Sequence, residues 1–221
     1  HFVCRDQRLR MEATATVWCG PGTNPPSEVQ LELIRDLKPT IWLGMASYGL
    51  HLANLAEARG FDLKSSSVTK IIVAAEPLSP VKRQKLEQAW GAEVFDHFGM
   101  TEAAWVAGEG LGHHGLHIWA DQYYVEVVDE KTGEPLPEGE VGALVVTPLW
   151  INGMTPFLRW SSGDLVSFSS EGKGDGPWSV FPMLRHARRT VGFFKVRGVN
   201  INHADLEDAM FRIPEVVGFR A

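Results

Sequence analysis

The sequence predicts a mixed α/β chain, with a parallel-sheet α/β subdomain followed by a small β-barrel-like subdomain. Two observations carry that reading. From about Leu31 to Phe95, short apolar strand-like runs alternate with helix-length stretches, which is the pattern of a parallel sheet with ligands at its strand C-termini. After Glu102 the helical period is lost, and short strand-like runs follow one another between turns. With 221 residues, the chain can hold one large domain, or one domain and part of another.

The elements follow in order. Thr14, Thr16 and Val17 suggest a strand that Gly20-Pro21-Gly22 breaks. Pro25-Pro26-Ser27 caps a helix over Glu28 to Leu37, striped by Val29, Leu33 and Leu37. A strand over Thr40 to Leu43 leads to a helix from Ser47 to Arg59, with Leu50, Leu52, Leu55 and Ala56 on its apolar side and Gly60 as its stop. Lys70 to Ala75 is an apolar strand, Ser79-Pro80 starts a helix reaching Trp90, and Glu93 to Phe95 is a strand. Gly108 to Gly115 is expected as a flexible loop carrying Glu109, His113 and His114, with His117 just after; no spacing there fits a zinc pattern. Strands are then expected from Tyr123, over Gly142 to Pro148, Phe157 to Trp160 and Leu165 to Phe168, with Thr132-Gly133 as a hairpin turn. Gly192 to Val196 and Val199 to Ile201 read as two more strands, and Asn202 caps a helix over Ala204 to Arg212.

The stretch Phe95 to Glu102, F-D-H-F-G-M-T-E, holds the chemistry. Phe98 offers a ring that can stack on a base, and Gly99 admits backbone closely because it has no Cβ. Thr101 can reach a phosphate oxygen, and Glu102 presents a hard oxygen to Mg²⁺. Taken alone, the same letters also fit a strand end, a glycine turn and a helix cap.

Three further segments lie in a telling order: V-A-A-E-P-L-S-P at 73–80, R-W-S-S-G-D at 159–164 and F-K-V-R-G-V-N-I-N at 194–202. With G-L-H-I-W-A-D at 115–121 and the Gly-bearing run at 132–144, this succession resembles the adenylate-forming (acyl-CoA synthetase) superfamily, in its phenylacetate–coenzyme A ligase-like branch. The resemblance runs from about Leu31 to the C-terminus. It implies an α/β subdomain over 1–115, a β-rich subdomain over 116–190 and the start of a mobile C-terminal α+β lid over 191–221. It also implies ATP-dependent activation of a carboxylic acid to an acyl-adenylate, followed by transfer to the thiol of coenzyme A. An aryl acid is favoured, because Ala74 and Ala75 leave room for a flat ring. Two alternatives stay open: transfer to a carrier protein or an amine, and a non-catalytic nucleotide-binding remnant. Family members carry a phosphate loop upstream and a catalytic lysine downstream that have no counterpart here, so the chain reads as an internal piece.

By the same resemblance Thr101 meets the α-phosphate, Glu102 holds Mg²⁺, Asp164 binds the ribose hydroxyls, and Arg189 (or its neighbours Arg185 and Arg188) contacts ribose. Lys195 and Gly198 line the thiol-transfer side of the lid. The backbone of Ala74, Ala75 and Glu76 and the ring of Phe98 with Gly99 flank adenine, and Asp96 accepts from its amino group. His97 and Met100 face the acyl pocket, His97 as a hydrogen-bonding residue towards a substituted acid. Three positions depart from the family pattern. Phe98 stands for tyrosine, Ser161 for the second arginine of R-Y-R-T-G-D, and Val191-Gly192 for an acidic hinge pair.

Composition narrows the classes. Hydrophobic content of 44% and charged content of 22% suit a globular protein, and a formal charge of -6 without a basic block argues against nucleic acid. No apolar run approaches the roughly 20 residues needed to span a bilayer. Cys4 and Cys19 make no disulfide framework and suit a reducing cytoplasm. A homodimer is the oligomer kept open.

Overall fold

The computed structural model describes residues 26–150, 153, 155–173, 176–189, 193–196, 199–213 and 216. The strand expected at Thr14 to Val17, both cysteines, the Val191-Gly192 hinge and Gly198 lie outside them. Side chains of Arg188, Arg189, Lys195 and residues 199–205 lie outside them too.

Four helices and eleven strands are described: α1 (Ser27–Leu37), β1 (Ile41–Gly44), α2 (Ala46–Ala58), β2 (Lys70–Val73), α3 (Pro80–Trp90), β3 (Glu93–Met100), β4 (Ala104–Glu109), β5 (Leu116–Ile118), β6 (Tyr123–Val128), β7 (Val141–Pro148), β8 (Trp160–Ser169), β9 (Met183–Arg189), β10 (Phe193–Val196), β11 (Val199–Asn202) and α4 (His203–Phe211). The first nine strands form one open mixed sheet in the order β1-β2-β3-β4-β5-β9-β8-β7-β6, and β10-β11 is a separate hairpin. The α/β expectation holds. The barrel-like form of the second part is not confirmed: among the described residues its strands continue the parallel sheet through β3 in one nine-stranded order.

Local chemistry explains the helices. Ser79 accepts a hydrogen bond from the Lys82 N–H at 3.2 Å and Pro80 takes the first turn, where a missing N–H costs nothing. Gly91 ends α3 in the left-handed region at φ 65°. Trp90 is fully buried and donates its indole N–H to the Gly49 carbonyl at 3.0 Å, which locks α3 to α2. On α1 the buried face is Gln30, Leu31 and Ile34, not the expected Val29, Leu33 and Leu37 stripe; Leu37 is exposed.

Two cores result. Leu52, Ile71, Val73, Leu86, Trp90 and Val94 fill the helix–sheet layer. Val106, Ile118, Leu144, Val146, Val166 and Leu184 fill the antiparallel part. Three expectations are corrected here. β3 continues past Phe95 to Met100, because its second half finds an antiparallel partner in β4. Gly108 and Glu109 are therefore strand, not loop, and the turn at Glu102 leads straight into β4. The two short strands expected either side of Gly163 are one strand, β8, which keeps its pairing by bulging. β9 was not anticipated, since its basic residues hide the alternation.

Candidate functional site

β3 places the central segment by changing partners halfway. Its first half runs parallel to β2, with Asp96 beside Val73, and its second half is antiparallel to β4. Asp96 thus sits at the carboxyl edge of the parallel sheet, next to the loop Ala74–Glu76 that leaves β2. Ala75 in that loop has φ 71°, a left-handed conformation uncommon outside glycine. The hairpin turn carries Thr101 and Glu102, both exposed. Gly99 lies at a register shift where a Cβ would come within 2.5 Å of the Ala104 carbonyl oxygen, so no larger residue fits without moving backbone.

Asp164 lies on β8, buried to 7% exposure, and its Oδ1 accepts from His186 Nε2 at 3.0 Å. A carboxylate only accepts, so this nitrogen carries the proton. The His186 ring in turn packs 6.2 Å from the ring of Phe98. The chain of contacts Asp164–His186–Phe98 brings the second motif to the first. The β8–β9 register sets Arg189 directly opposite Asp164 and Arg188 opposite Leu165. Arg185 pairs with Ser167 and reaches the His114 carbonyl at 3.3 Å. Arg189 is therefore the arginine whose backbone adjoins Asp164.

Neighbouring side chains on β3 face different surroundings. Burial raises the Asp96 carboxyl to about 7, against a hydrogen bond from the His97 N–H that pulls the other way. Burial lowers the His97 imidazole to about 4. His97 lies opposite Gly108 in the ladder and packs its ring 4.0 Å from Trp105. Met100 is half-buried against the second core, near the turn.

A polar frame holds this arrangement from behind. Arg83 on α3 donates twice to Glu109, at 2.7 and 2.8 Å, and once to the Val94 carbonyl. Glu109 Oε2 also accepts from the Asp96 backbone N–H at 2.8 Å. His113 bridges Glu109 at 3.2 Å and Glu93 at 3.3 Å. Of the histidines expected to be solvated, His113 instead joins the network around the Arg83–Glu109 pair, while His114 is exposed in a bend; among the described residues no group of three or more His, Cys, Asp or Glu could hold a metal. Glu76 accepts from the Ser47 N–H at the start of α2 and lies 3.7 Å from Lys82 Nζ, so its side chain is committed to structure and only its backbone remains for a ligand. Sequence reading missed His186, Arg83 and Lys82. No local signal marked them, since the basic residues of β9 hide its alternation and the partners of Arg83 and Lys82 lie far along the chain.

The donor set suits a magnesium nucleotide. Glu102 makes no ion pair or hydrogen bond among the described residues, and one carboxylate plus phosphate oxygens is the ordinary environment of Mg²⁺. Among the described residues no helix is long and apolar enough to cross a membrane.

Phenylacetate-coenzyme A ligase of Thermus thermophilus is 34% identical over 205 residues, which cover 89% of this chain and 44% of that protein. The Pseudomonas putida ligase of the same name is 31% identical over the same shares. The chain therefore spans under half the length of the curated relatives it matches. Among solved structures, 2-hydroxyisobutyryl-CoA ligase in the postadenylation state with R3-HIB-AMP matches with a TM-score of 0.79 at 25% identity, over 89% of this chain and 42% of that one. Residues 11–151 match the AMP-binding enzyme family. With that match running over more than half of its residues, the chain belongs to the AMP-binding enzymes.

Proposed function

We propose that the full-length protein activates a carboxylic acid with ATP and passes the acyl group to coenzyme A. An aryl acid of the phenylacetate or benzoate kind is the first choice of substrate. The contact chain Asp164–His186–Phe98 supports the reading, because it joins the residue assigned to ribose with the one assigned to the base, on the strand that leads into Thr101 and Glu102. The names of the relatives, all phenylacetate-coenzyme A ligases, support the acid and the thiol.

A carboxylate is a poor acyl donor because oxide does not leave. Its oxygen attacks the α-phosphorus of ATP, pyrophosphate departs, and a mixed anhydride forms. A thiolate then attacks the acyl carbon and AMP leaves. Such chemistry asks the protein mostly to position groups and balance charge. Thr101 donates its hydroxyl to the α-phosphate. Glu102 would hold Mg²⁺, which when bound neutralises phosphate charge. Asp164, steadied by His186, accepts from the ribose hydroxyls with Arg189 alongside. The ring of Phe98 and the backbone of Ala74, Ala75, Glu76 and Gly99 enclose adenine, and Asp96 accepts from its amino group. Lys195 lies on the face that meets the thiol, and His97 and Met100 line the acyl side. A cytoplasmic setting fits this chemistry.

Exchange of labelled pyrophosphate into ATP, dependent on added acid, tests the first half-reaction. Glu102→Ala should cut it by about 100-fold or more, the scale at which removing one charge-stabilising group slows an enzyme. Asp164→Ala should chiefly raise the KM for ATP. Exchange insensitive to both substitutions sinks the assignment, and exchange without CoA consumption removes CoA as acceptor.

A further inference from the structure

His97 is 7% exposed, yet neither ring nitrogen has a hydrogen-bond partner among the described residues. Buried polar groups are nearly always paired, and one left unpaired calls for an explanation. Its surroundings supply one. Trp105 packs against the imidazole on one side. Across the ladder, Gly108 has no side chain; a Cβ there would sit 3.5 Å from the Trp119 ring and 3.9 Å from His97. Trp119 in turn makes edge contacts with Trp178 at 5.1 Å and Phe181 at 5.9 Å. The unpaired imidazole is thus set in a wall of aromatic rings where a glycine spares space. Such a wall suits a flat apolar body with one hydrogen-bonding group.

Resting on the adenylation reading above, we propose that His97 is a specificity-determining residue that hydrogen-bonds a hydroxyl or amino substituent on the aryl acid. The burial that holds the imidazole neutral near pH 7 leaves one nitrogen a donor and the other an acceptor, so it can serve either substituent. An acid without the substituent leaves His97 unpaired in the closed site. A pocket built to pair a polar group rejects analogues lacking it far more strongly than an apolar pocket rejects a missing methylene.

Acid-dependent pyrophosphate exchange by the full-length protein, run on matched acids, reads this preference. The pairs are benzoate against its hydroxy- and amino-benzoate isomers, and phenylacetate against its hydroxy- and amino-phenylacetate isomers. The wild type should favour at least one substituted acid in kcat/KM by about 10-fold or more. His97→Leu should collapse that ratio, and His97→Gln should restore part of it. Unsubstituted acids used as well as every substituted one, or a preference that His97→Leu leaves intact, overturns the proposal; the imidazole then pairs with a buried water. If the leucine variant does not fold, nitrogen NMR of wild-type His97 decides. A ring nitrogen must shift when the preferred acid binds and stay put with its unsubstituted partner; equal spectra overturn the proposal. Failure of every acid to support exchange instead sinks the adenylation reading, and this proposal with it. The two failures are therefore distinguishable.

Discussion

Asp96 and His97 are adjacent on β3, and burial displaces their titrations in opposite senses. Asp96 rises from 3.8 to about 7, so between those values the native state holds a proton that the unfolded chain has released. Its contribution to stability is present at low pH and is lost as pH rises through about 7. His97 falls from 6.5 to about 4, so in that window the unfolded chain binds the extra proton. Its contribution grows as pH rises from about 4 to 6.5. The two slopes oppose each other over most of their range. Asp96→Asn keeps an acceptor for the His97 N–H and removes the buried charge. The variant should be more stable than wild type by about 1–3 kcal/mol at pH 8 and no more stable at pH 4. Thermal unfolding at both pH values checks this, and an equal difference at the two would refute it. Both residues were picked out in the sequence as ligand contacts. Their burial was not legible there, because it comes from strands and loops that pack over them.

At the scale of elements, the β3–β4 hairpin depends on two features. Gly99 must stay small, since a methyl would press on the Ala104 carbonyl across the bulge. Gly99→Ala should cost about 1–3 kcal/mol in denaturant unfolding, as overpacking generally does, and should raise the KM for ATP by shifting Phe98 and Thr101. A variant of wild-type stability and ATP affinity would show that the bulge yields freely. The Arg83–Glu109 pair pins α3 to the end of β4 with the carboxylate only 7% exposed. Removing one partner of a buried pair strands the other charge, so Glu109→Ala should lose about 3 kcal/mol and Glu109→Gln less. The helix α3 and its caps were readable from Ser79-Pro80 and Gly91. The pair was not, because nothing in the local pattern at Glu109 names a partner on a helix upstream.

For the whole molecule, Lys82 joins parts far apart in the chain. It is 1% exposed on α3, 2.5 Å from Glu207 on α4 and 3.7 Å from Glu76 in the loop after β2. The Glu207 contact lacks hydrogen-bond geometry at Nζ, so it counts as an ion pair held by charge. Lys85 adds bonds to the carbonyls of Val216 at 2.9 Å and Ile213 at 3.4 Å. Glu207→Ala should therefore loosen α4 specifically, seen as faster amide exchange over 203–211 with β1–β3 unchanged. Uniform exchange across the chain would show that α4 docks by its apolar contacts alone. Taken by itself, the sequence determined the run of α1 to β3, because hydrophobic period and caps act over a few residues. It also marked Phe98, Thr101, Glu102 and Asp164 by motif order. Only the tertiary structure decided that β8 is one bulged strand, that β9 inserts His186 between Asp164 and Phe98, and that His97 is buried without a partner. Those outcomes depend on which strands pair and what covers them, and such contacts join residues too far apart for any local pattern to record.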